Sequence, residues 1–222
     1  MRKVKVIITD NEKLSDWTIE IDPCKDGKLA QEIILSLKAT MREKNLISLT
    51  APQIGYNRRI ICLRFGDNNY RTFINPAIEN NTGLTISREK CSSIPEKEFI
   101  IPRLSNIKFY FTTPMGKVES ATLVGKAACV FQHAMDHLNG MLVSDIGLEI
   151  DELFDNASTE EQEEVIKMYL ESLDLRQKDL EEEMKSNTEM KELNEAIEFI
   201  TGVNNGSVVL DTTTKKEIDT NE

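Results

Sequence analysis

No stretch of this chain approaches the roughly 20 consecutive apolar residues that cross a bilayer. No apolar signal core follows the charged, alternating start Met1-Arg2-Lys3-Val4-Lys5-Val6. Both absences argue against a helical membrane protein and predict a soluble, cytoplasmic one. Cysteine is scarce as well: Cys24, Cys62, Cys91 and Cys129 are scattered and form no C-x-x-C pair. That is a poor disulfide framework and fits a reducing compartment. Histidine is scarcer still, His133 and His137 being the only two. Basic surplus is missing too. Residues 1–150 hold 20 Lys+Arg against 17 Asp+Glu, whereas residues 151–222 hold 7 against 21, so the net charge of −11 comes from the last third. Such an acidic block argues against a nucleic-acid face, so neither nucleic acid nor membrane is expected as a partner.

What is present is ordinary for a globular protein, with 40% hydrophobic and 29% charged residues. A chain of 222 residues is long enough for one packed domain with an appended element. The charge step divides it into a domain over 1–150 and an acidic extension over 151–222. Residues 3–22 are expected as strand, turn and strand, with Val4, Val6 and Ile8 alternating before Asp10-Asn11, then Trp17, Ile19 and Ile21. Leu29, Ile33, Leu37 and Met41 recur every four residues and predict a buried helical stripe, with Asp26 as its cap.

Short strands are expected at 59–63, 70–74, 107–112 and 117–124, punctuated by Pro76, Pro95, Pro102 and Pro114. A helix over about 126–139 follows, closed by Gly140 in a left-handed cap. Beyond residue 150, Ser158 and Glu161 make a capping box. Ile166, Leu170, Leu173, Leu180 and Met184 then follow heptad-like spacing, with a break at 186–188 and a second stripe from Met190 to Ile200. Those helices, over 158–202, and the polar tail 204–222 are expected to meet other protein chains, in an oligomer or larger assembly.

His133 and His137 stand four apart in the predicted helix and so project from one face, a separation that lets two imidazoles share a metal. Three segments set this pair in context: Leu46 to Gly55, Glu89-Lys90-Cys91-Ser92-Ser93, and Gln132 to Gly140. Together, in this order and spacing, they resemble the three signature motifs of the peptide deformylase family over about residues 25–145. The resemblance implies an α+β fold in which antiparallel strands surround a central helix carrying both histidines. It implies that Cys91, His133 and His137 hold Fe²⁺ or Zn²⁺ with a fourth position open. By the same resemblance Gln53 is the amide that stabilises the oxyanion formed from the formyl group, and Asp136 and Arg103 brace the helix behind the ligands.

The pattern breaks at one place that matters chemically. The family's third motif reads H-E-x-x-H, and its glutamate carries protons between the attacking water and the leaving amine. Here that residue is Ala134, and a methyl group carries no proton. Leu46 and Ser48 replace the first motif's glycines; Lys90 and Ser92 replace the second motif's glycine and leucine. Ser48 and Ser92 are therefore the expected substrate-binding departures. Two readings follow. One is a catalytically inactive deformylase-like protein reused as a structural component, for example in a phage virion assembled in the bacterial cytoplasm. The other is an active or weakly active metal-dependent deformylase acting on N-terminal formylmethionine, with Glu89 or Glu96 standing in for the base. A third, weaker reading is a module that grips formylated peptides without cutting them.

Overall fold

The computed structural model describes residues 4–186, with side chains through residue 174. The chain divides into two compact units, Met1–Ile166 and Lys167–Glu222. In chain order the elements are α1 (Asn11–Leu14), α2 (Gly27–Glu43), β1 (Ser48–Thr50), β2 (Ile60–Arg64), β3 (Tyr70–Cys91), β4 (Ile94–Thr112) and β5 (Val118–Val124). Then come α3 (Lys126–Leu138), α4 (Val143–Ile146), β6 (Leu148–Ile150), α5 (Glu152–Asn156) and α6 (Thr159–Ser186). All the strand pairings are antiparallel, in the order β1-β2-β3-β4-β5, with β6 on β4.

β2 explains how the two long helices of the first unit are held apart. Its first four residues are buried, and strand alternation sends them to opposite faces. Ile60 and Cys62 pack with Ile33, Leu37 and Met41 of α2. Ile61 and Leu63 pack with Phe131, Ala134 and Leu138 of α3. The α3 core is completed by aromatic edges: Phe131 lies 4.1 Å from Phe109 and 5.9 Å from Phe73 between ring centroids.

Two polar devices fix α3 along its axis. Gln132 zips it to β4, accepting from Leu104 N–H at 3.0 Å and donating to Leu104 O at 2.8 Å. At its far end the Leu138 carbonyl accepts from Thr18 N–H and Thr18 Oγ1, and Arg59 donates to Asn139 Oδ1. Gly140 adopts φ +70° here, and a Cβ at that position would run into the backbone of Ser15. The left-handed cap expected from the sequence is therefore also a close approach.

The N-terminal segment is not the expected hairpin. Asn11–Leu14 is helical, and the segment bonds to several elements one at a time: Lys5 N–H to Thr40 Oγ1, Ile8 N–H to Gln53 O, and an isolated bridge from Ile19 to Arg58. Val6 is 86% exposed while Ile7 packs on the core, so the apparent alternation had no ladder behind it. At α2, Asp26 occupies the cap position, but its carboxylate accepts from Asp22 N–H and not from the helix.

The second surprise is a long ribbon of β3 and β4 where two short strands were expected. Pro76 falls at a register shift between Ile74 and Ala77. Pro102 sits between the β6 ladder at 98–100 and the β5 ladder at 106–112, where the strand has one free side. After β6 the Ser158–Glu161 capping box forms, with Ser158 N–H donating to Glu161 and Glu161 N–H to Ser158 Oγ. Among the described residues no helix is long and apolar enough to cross a membrane. The second stripe, Met190 to Ile200, and the tail 204–222 lie outside the described residues.

Candidate metal centre

Glu89 and Cys91 share one face of β3 because strand side chains alternate, and His133 and His137 share one face of α3. Packing that strand end against that helix brings thiol and imidazoles together. Cys91 Sγ is 3.3 Å from His137 Nε2, and one ligand atom from each of Cys91, His133 and His137 lies within 4.8 Å of the others. Zinc–sulfur and zinc–nitrogen bonds of about 2.3 and 2.0–2.1 Å at a tetrahedral angle would separate S and N by about 3.5 Å. The donor set thus fits a single divalent ion.

The charge state of the thiol favours the same conclusion. Burial pushes the Cys91 thiol up, but His133 and His137 beside it prevail and bring it down to about 5. That shift favours the thiolate, the form a metal needs. His133 is pushed down by burial yet ends raised, because Cys91 and Glu89 both stabilise its charged form.

The atoms behind the ligands form a connected network. Arg103 donates Nε to Glu89 Oε1 and Nη2 to Glu89 Oε2, each at 2.9 Å. Glu89 Oε2 is also 2.8 Å from His133 Nδ1, which leaves the Nε2 side of that ring toward the thiolate. Arg103 Nη1 lies 2.7 Å from Asp136 Oδ2. The approach is an ion pair without hydrogen-bond alignment, since that oxygen has no hydrogen-bond partner. Burial raises Glu89, but Arg103 and then His133 outweigh it and hold the carboxyl at about 2. Asp136 ends raised, burial winning over Arg103. His137 is braced less well: its Nδ1 is buried without a partner.

A cleft of about 390 Å³ opens beside His133, and Gln53, Ser48 and Ser92 all line it. Gln53 is only 3% exposed and sits in a 3-10 turn, Pro52–Ile54. Its Oε1 accepts from Thr50 N–H at 3.0 Å and Thr50 Oγ1 at 3.1 Å. Its Nε2 donates to Ser92 Oγ at 3.3 Å and Ser93 Oγ at 3.1 Å. Ser93 was not singled out from the sequence, although the tight turn after Cys91 places its N–H 3.4 Å from the thiolate as a donor.

Neither carboxylate expected as a stand-in base is both free and on the cleft. Glu89 is committed on both oxygens to Arg103 and His133. Glu96 is exposed in the ribbon and does not line the cleft. Glu98 does line it, but Arg88 at 2.8 Å and Lys90 at 3.6 Å hold it. Ala134 is 0% exposed and packs within the α3 core.

A thiol from a strand and two imidazoles from one helix, beside an open cleft in an α+β fold, make a donor set that could hold a divalent metal. A polypeptide deformylase family model matches residues 3–150, and the chain belongs to that family. The match begins at residue 3, so the N-terminal segment lies inside the family region and not outside it as the motifs alone implied. A peptide deformylase of Dictyoglomus turgidum is 32% identical over 146 residues, covering 64% of this chain and 95% of that relative. The crystal structure of peptide deformylase from Thermotoga maritima is 29% identical with a TM-score of 0.58, over 66% of this chain and 97% of that one. A peptide deformylase from Synechococcus elongatus in complex with actinonin is 27% identical with a TM-score of 0.60, over 66% and 80%.

Proposed function

We propose that this chain binds the formylated N-terminus of peptides at a metal held by Cys91, His133 and His137, and removes the formyl group slowly. The observation that carries this reading is a retained donor set whose His133 lines the same cleft as Gln53, with a methyl group at 134 where a proton carrier is needed. Fe²⁺ or Zn²⁺ bound there would supply Lewis-acid polarisation of a carbonyl oxygen and of water. Glu89 orients His133 through Nδ1 and is itself locked by Arg103. Gln53 offers its amide N–H groups, which a formyl oxygen would take from the serine hydroxyls that now accept them. Ser92 Oγ accepts from Gln53, so its own hydroxyl proton remains available to a second acceptor.

What the cleft lacks is a group that moves a proton from water to the leaving amine. Losing a positioned general base costs about 10²–10⁴ in rate. That so many relatives are named peptide deformylases favours slow turnover over no turnover.

The expected result is one equivalent of iron or zinc per chain by elemental analysis, lost in Cys91→Ser. The loaded wild type should also bind N-formyl-Met-Ala-Ser more tightly than the unformylated peptide. Equal affinity for the two peptides would sink the formyl-binding reading.

A second reading, a structural component in an assembly such as a phage virion, draws on the acidic extension. On α6, Ile166, Leu170 and Leu173 are only half-buried, and Met168 is 64% exposed. This reading requires the extension to bring chains together. A full-length protein that stays monomeric by light scattering at high micromolar concentration is incompatible with self-assembly.

A further inference from the structure

Lys126, Cys129, Val130 and His133 all line the cleft, and their spacing puts them on one face of α3. The wall therefore runs about 10 Å from His133 to Lys126, at about 1.5 Å per helical residue. A peptide whose formyl group sat beside His133 and whose chain followed the cleft would lay its first side chains along this wall.

The charges on that wall are unevenly satisfied. Glu89 is consumed by Arg103 and His133. Arg88 is held by Glu98 at 2.8 Å and Asp155 at 2.9 Å, and Lys90 shares Glu98 at 3.6 Å. Lys126 has no ion pair or hydrogen bond among the described residues, and it is exposed. It stands on the ridge between the cleft and a second hollow of about 220 Å³, and Ile47 and Val130 line both. The far end of the cleft wall thus ends in an ammonium group without a counter-charge, above an apolar side formed by Ile47 and Val130.

We propose that Lys126 is a specificity-determining residue that makes the cleft prefer formylated peptides carrying a carboxylate on their first or second side chain. The inference rests on the formyl-binding reading above. An apolar stem would lie along Val130 and Ile47, and the carboxylate would meet the ammonium at the rim. A basic side chain there would meet a like charge.

The test is calorimetry on the full-length, metal-loaded protein at low salt. N-formyl-Met-Glu-Ser is compared with N-formyl-Met-Lys-Ser for the second position, and N-formyl-Glu-Ala-Ser with N-formyl-Lys-Ala-Ser for the first. The acidic member of at least one pair should bind about five-fold more tightly, the size expected of a partly exposed ion pair. That preference should shrink in 0.5 M salt and reverse in Lys126→Glu. Equal binding within both pairs overturns the proposal, as does a preference that survives Lys126→Glu, which would pass the role to Arg88 or Lys90. Failure of all four peptides to bind, with N-formyl-Met-Ala-Ser also failing, overturns the formyl-binding reading and this proposal with it. Binding of N-formyl-Met-Ala-Ser without an acidic preference removes this proposal alone.

Discussion

Ala134→Glu should raise the deformylation rate on N-formyl-Met-Ala-Ser by about 10²–10⁴, the usual worth of a positioned general acid–base. The ligands on either side of position 134 are in place, Gln53 lies on the cleft, and Glu89 already orients His133. Only the proton carrier is missing from the set. The substitution has a physical obstacle, because Ala134 is fully buried beside Phe131 and Leu138. A glutamate that failed to reach the cleft would leave a carboxylate among apolar side chains at a cost of several kcal/mol. Rate and urea midpoint therefore belong together. A variant that folds with the wild-type midpoint and gains no activity would show that Ser48, Lys90 and Ser92 have remodelled the cleft beyond repair by one base.

Arg103→Met should destabilise the protein by about 3–5 kcal/mol, the usual cost of removing one partner from a buried ion pair. Arg103 is 6% exposed and bridges Glu89 and Asp136, so its loss leaves two buried carboxylates with only the His133 ring, held by Glu89, as a source of positive charge. Metal affinity should fall as well, by about 10–100-fold, because Glu89 would no longer be held against His133. The pH dependence of the metal-free protein gives a further readout. Glu89 titrates at about 2 in the fold against an ordinary value of 4.5, so the folded state binds its proton later than the unfolded chain. Its contribution is complete above the ordinary value and disappears as pH falls from there toward 2. Urea midpoints measured between pH 6 and pH 2.5 should therefore slope more steeply in the wild type than in Arg103→Met. Parallel slopes would mean that Arg103 does not hold Glu89 down.

Much of this site is written in short-range patterns. The stripe of Ile33, Leu37 and Met41 marks α2, and His133 with His137 marks α3, because helical periodicity is a property of neighbouring residues. The role of Glu89 was within reach too: it stands two residues before Cys91, so a strand must present both on one face. The N-terminal segment looks like a hairpin strand in the sequence because Val4, Val6 and Ile8 alternate, while the segment's backbone partners belong to different elements. The ribbon was hidden for the opposite reason. From Glu79 to Leu84 the residues of β3 are exposed, so Asn80, Asn81, Thr82 and Gly83 carry no apolar alternation and look like a loop. Pro76 and Pro102 strengthened that impression, since the bulge and the free strand side that accommodate them are tertiary features.

β2 carries a last implication. A strand with one oily face cannot slide by one residue without turning that face to water. Ile60, Ile61, Cys62 and Leu63 would stay apolar on both sides after such a slip, so the strand does not police its own alignment. The job falls to the turn between Arg64 and Tyr70, where Phe65 N–H donates to Asn69 O and Gly66 and Asn68 take positive φ. That turn sets β2 against β3, β2 sets β1 through the Thr50–Ile61 pairing, and Thr50 grips the Gln53 amide. A handful of solvent-facing residues at the end of that strand pair thus acts as the gauge by which a buried amide is aimed.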